Sequence, residues 1–251
     1  MTSRSRYLSN LQLSILLLAS FGCLIPVWGI QDALAQSPQS NAQQSLSAEA
    51  LNLAGLSSEE KSRAYNKEGA NLLSQGKSRE AAEMFRKAIT VNPQGAAAHN
   101  NLALVLKEMG NLIEAEKEAR LALKLKADKA SYHFNLGLIL QRQNKHAEAE
   151  PCFREALKID PMDPEAHYRL ALSLSALSKP AEAEEEAKLA ILMKPNEASY
   201  HRVLADCLLQ EKKYDASLCE YRTTVELDPQ GHDVGDIRNK IDYLKQVLNV
   251  R

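Results

Sequence analysis

Four histidines stand at equal steps of thirty-four residues: His99, His133, His167 and His201, in the phrases AAAHNNL, ASYHFNL, PEAHYRL and ASYHRVL. Histidine is the commonest transition-metal ligand, so a regular row of imidazoles raises a metal site as the first chemical possibility. A shared ion needs its ligands within about 2.1 Å, whereas stacked helices hold equivalent residues roughly 8–10 Å or more apart. The spacing therefore predicts a repeated structural place, filled each time by a planar ring with a polar tip.

The other reactive residue types are as easily placed. The stretch SQGKSRE at 74–80 contains GKS, but a phosphate-binding loop needs a glycine five residues before Gly76, where Asn71 stands, and a strand before its helix. It reads as a turn. Cys152, Cys207 and Cys219 have neither CxxC nor metal-ligand spacing and are expected to pack as small hydrophobes; a Cys207–Cys219 bridge depends on geometry. The acidic run AEAEEEAK at 181–188 reads as a solvated helix face. No HExxH, GxSxG, GxGxxG or supported carboxylate pair occurs, so neither an enzyme nor a cofactor is expected.

The elements that carry these residues follow from the same step. At 251 residues, with 45% hydrophobic and 25% charged, the chain can form ordinary domains, but only 5% is aromatic. That share favours many Leu and Ala contacts over one large aromatic core. The formal charge of −1 offers no basic stripe for nucleic acid. From Ser62 the chain divides into blocks at 62–95, 96–129, 130–163, 164–197 and 198–231. The eighth residues are Gly69, Ala103, Gly137, Ala171 and Ala205; the twentieth are Ala81, Ala115, Ala149, Ala183 and Ser217. Two helices approach closely only where neither contributes bulk, so these columns predict the crossing of an antiparallel pair within each block. A leucine column (Leu72, Leu106, Leu140, Leu174, Leu208) and a small column (Ala88, Ala122, Ala156, Ala190, Thr224) complete a one-sided apolar stripe on each helix. Pro93, Pro161, Pro195 and Pro229 end four of the five blocks.

These columns resemble the tetratricopeptide repeat, with Tyr65, Gly69, Ala81, Phe85, Ala88 and Pro93 in the best-matching copy. The resemblance implies an all-α, α-solenoid fold of five helix-turn-helix repeats over 62–231. Residues 232–251, with Ile237, Ile241, Leu244 and Leu248 in helical spacing, are expected to form a terminal capping helix. Ser57 and Glu60 predict a capping box at the first helix. Pro151, inside the second helix of the third repeat, is expected to kink or loosen it.

The resemblance also implies a concave surface built from the first helix of each repeat, at its second, fifth, ninth and twelfth places. Candidate peptide contacts are Asn66, Asn100, Asn101, Lys107, Phe134, Gln141, Tyr168 and Arg202, with the asparagines suited to a ligand backbone and Phe134 and Tyr168 to apolar platforms. The fourth-place histidines are expected to pack against the preceding repeat. A family subset clamps acidic chaperone tails with Lys, Arg and Asn; here the matching places hold Asn66, Ala70, Asn101, Ser131 and Asn135, so that partner is disfavoured.

The amino end adds a destination. Arg4 and Arg6 precede the apolar run at 15–30, and Ala33 and Ala35 follow, which is the layout of a secretory signal cleaved after Ala35. An uncleaved anchor and a lipoprotein through Cys23 stay open as alternatives. SPQSNAQQS at 37–45 falls in a flexible linker over 36–57. The expectation is an exported, periplasmic or secreted scaffold for a protein or peptide, with no small-molecule substrate. The alternative is a membrane-tethered assembly factor, resembling the pilus-assembly repeat proteins, for an envelope or pilus-like complex.

Overall fold

The computed structural model describes residue 53 and residues 55–249. The signal or anchor at 1–35 and nearly all of the linker at 36–57 lie outside the described residues. From Ser57 onward the described residues form helices and no strand: α1 Ser58–Ser74, α2 Ser78–Val91, α3 Ala96–Glu108, α4 Leu112–Leu125, α5 Ala130–Arg142, α6 His146–Ile159, α7 Pro164–Ala176, α8 Pro180–Met193, α9 Ala198–Gln210, α10 Tyr214–Leu227 and α11 Val234–Leu248. Each odd helix up to α9 packs most closely on the even helix after it, and each even helix then packs on the next odd one. Successive odd helices from α1 to α9 also touch one another. They therefore line the inner side of a five-repeat solenoid, closed by α11 against α10.

Local chemistry explains each step. Ser57 and Glu60 form a reciprocal capping box: Ser57 N–H donates to Glu60 Oε2 at 2.8 Å, and Glu60 N–H donates to Ser57 Oγ at 3.3 Å. The small columns are buried where the paired helices cross, with Ala81, Ala103, Ala115 and Ala149 each at 0% exposure. The turn inside every repeat ends on a left-handed residue. Repeats one and two use Gly76 and Gly110, while the later three place Asn144, Ser178 and Lys212 at φ of 58–62°. Despite Pro151, helix α6 runs unbroken from His146 to Ile159. The proline lies near the start of that helix, where the lost bond frees only a first-turn carbonyl.

The histidine row is a set of repeated struts. His99, His167 and His201 each direct Nδ1 at a glutamate nineteen residues later, Glu118, Glu186 and Glu220, at 2.6–2.7 Å. Each directs Nε2 at the carbonyl oxygen of Pro93, Pro161 or Pro195, at 2.8–3.1 Å. One ring thus ties the end of the preceding repeat to both helices of its own. Burial works against the charged form of His167, but Glu186 and the Pro161 carbonyl outweigh it and raise its pKa. In the third repeat Cys152 stands where the glutamate would be, and His133 keeps only the Ala127 carbonyl, at 2.9 Å. Cys152, Cys207 and Cys219 are free thiols, with Cys207 buried and Cys219 exposed.

A second ladder crosses the even helices. Glu116 takes Arg120 and Lys145, Glu150 takes Arg154 and Lys179, and Glu184 takes Lys188 and Lys213, all at 2.6–3.0 Å. In each trio the second lysine or the arginine of the step reaches a neighbouring repeat. Burial alone would raise the Glu184 pKa, but bonds from Lys188 and Lys213 hold it well below the usual carboxylate range; Glu116 and Glu150 are lowered too. A depressed folded-state pKa gives stability that is present above the ordinary value near 4.5 and lost as pH falls through the folded value. The ladder's share of the stability should therefore be constant from neutral pH to about 5 and fall below it. Glu184→Gln should cost about 1–2 kcal/mol at pH 7 and much less at pH 2, read by thermal melts at both. An equal cost at the two pH values would remove the ladder from the acid response.

Candidate functional site

The inner surface places the candidate residues unequally. Asn100 is 6% exposed: its Oδ1 accepts from Asn135 Nδ2 at 2.9 Å, across the seam between α3 and α5. Tyr168 is 8% exposed, stacked on Tyr200 with centroids 4.9 Å apart and with Arg169 over its ring at 5.1 Å. Both were expected on the groove surface and are instead drawn into the seam between repeats, because the next odd helix carries a side chain that pairs with each. Phe134 is half-buried, edge-on to Phe153 at 5.8 Å. Arg202 pairs with Asp233 at 3.1 Å beside a cavity of about 230 Å³ between repeat five and α11.

Asn66 and Asn101 repeat the Asn100–Asn135 relation one repeat earlier, but without the bond. The Oδ1 of Asn66 is buried and has no hydrogen-bond partner. Asn101 lines a shallow cavity of about 330 Å³ with Ala70, Leu73 and Leu104. A buried carbonyl oxygen left unpaired costs about 1–3 kcal/mol, and rotation of the amide toward an incoming N–H would relieve it.

Lys107 and Gln141 meet at the middle of the groove. They line a cavity of about 560 Å³ over repeats two to five, with Leu138 and Leu172 beside Arg142, His146, Arg169, Ser175 and Gln210. Gln141 spends its Nε2 on the Arg169 carbonyl and on Ser173 Oγ, both at 2.9 Å, which fixes α5 to α7. Gln210 Nε2 does the same to Ser175 Oγ at 2.9 Å. The volume falls in the range of ordinary ligand sites, roughly 300–1,000 Å³. Arg142, His146 and Arg169 escaped the sequence reading because they lie at the thirteenth, seventeenth and sixth places, outside the expected stripe. The signal was present in the 3.6-residue period, which sets the thirteenth place one turn beyond the ninth.

Three family models, each described as a tetratricopeptide repeat, match residues 62–94, 95–162 and, in two overlapping stretches, 134–191 and 168–232. The chain belongs to the tetratricopeptide repeat family. Repeats of this family present extended concave binding surfaces and serve as protein-interaction scaffolds. Among curated proteins no match is found. Among solved structures, PilF of Pseudomonas aeruginosa is 26% identical with a TM-score of 0.61, over 76% of this chain and 91% of that one. YrrB, described as a tetratricopeptide protein with an unusual peptide-binding site, is 18% identical with a TM-score of 0.62, over 70% and 90%. MamA of Desulfovibrio magneticus is 18% identical with a TM-score of 0.63, over 68% and 97%. The last two share the fold of this tetratricopeptide array.

Proposed function

We propose that this tetratricopeptide chain is a non-enzymatic, exported scaffold that holds an extended peptide or protein segment in its concave groove. The observation that carries the reading is the cavity over repeats two to five. It has a leucine floor, an amide and hydroxyl rim, and a size suited to a few side chains. The unpaired Asn66 carbonyl lies on the first repeat of the same odd-helix row and suits a ligand backbone N–H. The peptide-binding description of YrrB supports the reading by analogy of fold.

Random-peptide display against the chain, followed by amide chemical-shift mapping with a selected peptide, tests it. Shifts are expected at Leu138, Gln141 and Leu172 and at the side-chain amides of Asn66 and Asn101. Shifts confined to the even helices would move the site to the outer face. Export is proposed from the layout of Arg4, Arg6, the apolar run and Ala33–Ala35. Mass spectrometry of the mature amino terminus should find Gln36 first; a retained segment would favour the tethered assembly factor instead.

A further inference from the structure

We propose that the segment held at the middle of the groove is acidic, with a carboxylate taken by Arg142 and Arg169 and a neighbouring apolar side chain on Leu138 and Leu172. The inference rests on the groove reading above and adds the chemistry of the occupant. Of the four cations on α3, α5, α7 and α9, three already have an acidic partner: Lys107 has Glu108 at 3.1 Å, Arg169 has Glu165 at 2.7 Å and Arg202 has Asp233 at 3.1 Å. Arg142 differs. It is the last residue of α5, exposed, and has no ion pair or side-chain hydrogen bond among the described residues, although it lines the cavity.

Arg169, on the same cavity, gives Nε to Glu165 at 2.7 Å, lies over the Tyr168 ring at 5.1 Å, and makes no hydrogen bond from either terminal nitrogen among the described residues. A guanidinium offers five N–H donors in a planar fork, so two of them facing one cavity supply many more donors than the protein uses. No aspartate or glutamate lines this cavity, whose lining also includes Lys107 and His146. The formal charge of the whole chain is −1, so no general field draws anions in; the preference is local to this cavity. The two leucines between the cations argue for a peptide over a free anion, since a small anion would leave that floor uncovered.

The test uses the full chain and three fluorescein-labelled twelve-residue peptides with the same Leu, Gly and Ser content, carrying Glu, Gln or Lys at the remaining places. By fluorescence anisotropy the Glu peptide should bind at least about tenfold more tightly than the Gln peptide, with the Lys peptide weakest. Arg142→Gln should bring the Glu peptide to the Gln level, with the far-UV circular dichroism unchanged because Arg142 is exposed. Arg222→Gln, on α10 and without an ion pair, should leave all three affinities as they were. Equal binding of Glu and Gln peptides overturns the acidic preference while leaving the groove reading intact. Failure of all three to bind overturns both. An equal loss in Arg142→Gln and Arg222→Gln, or full displacement by an equimolar oligothymidylate, would mark diffuse anion attraction and also sink the proposal.

Discussion

Phe153→Ala should cost about 3–5 kcal/mol in urea denaturation, the largest loss expected from any single substitution in the array. Phe153 is fully buried on α6 and meets the backbone of α5 at Gly137. A Cβ on Gly137 would lie 2.6 Å from Phe153 Cε1, and one on Gly69 would lie 2.6 Å from Phe85 Cε1. Repeats one and three therefore join the paired helices by a phenylalanine over a glycine. Repeats two and four solve the same crossing with Ala103 and Ala119, and with Ala171 and Ala187.

Gly137→Ala gains up to about 1 kcal/mol of helix propensity but forces the ring against Phe134, for a net loss of about 1–2 kcal/mol. In the double variant the added methyl enters the space the ring has left, so its cost should be smaller than the sum of the two single costs by at least about 1 kcal/mol. A Gly137→Ala protein more stable than the parent would show that the glycine is not there to admit the ring. Because repeat three is central and each repeat rests only on its neighbours, the loss should reach both ends of the array.

That pairing also shows what could be read before the fold was seen. The thirty-four-residue step, the small columns and the proline stops place the helix pairs because they express one local rule many times. The Ser57–Glu60 box and the apolar face of α11 are equally local. Relations between columns were harder. The glycines at 69 and 137 accompany phenylalanines sixteen residues on, and three of the four histidines accompany glutamates nineteen residues on. Both pairings are written in the chain, yet each column read alone appears merely small or merely aromatic.

The groove was only partly legible for a related reason. Helical periodicity names a face of each odd helix, but the stacking of neighbours decides which edge of that face stays open. Asn135 and Tyr200, thirty-five and thirty-two residues away, close over Asn100 and Tyr168. The open edge shifts toward Leu138, Gln141 and Arg142, at the far ends of the odd helices.

Asp206→Ala should cost about 2–3 kcal/mol and loosen α11 before any other helix. At Asp206 three helices meet on one carboxylate: Oδ1 accepts from Tyr221 of α10 and from Lys240 of α11, both at 2.5 Å, and Lys240 also lies 5.2 Å from the Tyr221 ring centroid. Burial and Asp206 together push the Tyr221 hydroxyl pKa up, so the phenol stays a donor. Removing the carboxylate leaves a fully buried phenol without its acceptor and Lys240 without its counter-ion. Hydrogen exchange should then rise first along Val234–Leu248, with α1 to α6 unchanged. Asp206→Asn, which keeps an acceptor but not the charge, should fall between the two. Exchange that rises uniformly would mean that α11 is held by Ile237, Ile241 and Leu244 alone. The ninth place of the first four repeats holds Ala70, Leu104, Leu138 and Leu172, which line the groove cavities; in the fifth it holds Asp206, committed to the cap. The residue that closes the array therefore also ends its apolar floor, so the fifth repeat meets the groove cavity through Gln210 and not through a ninth-place leucine.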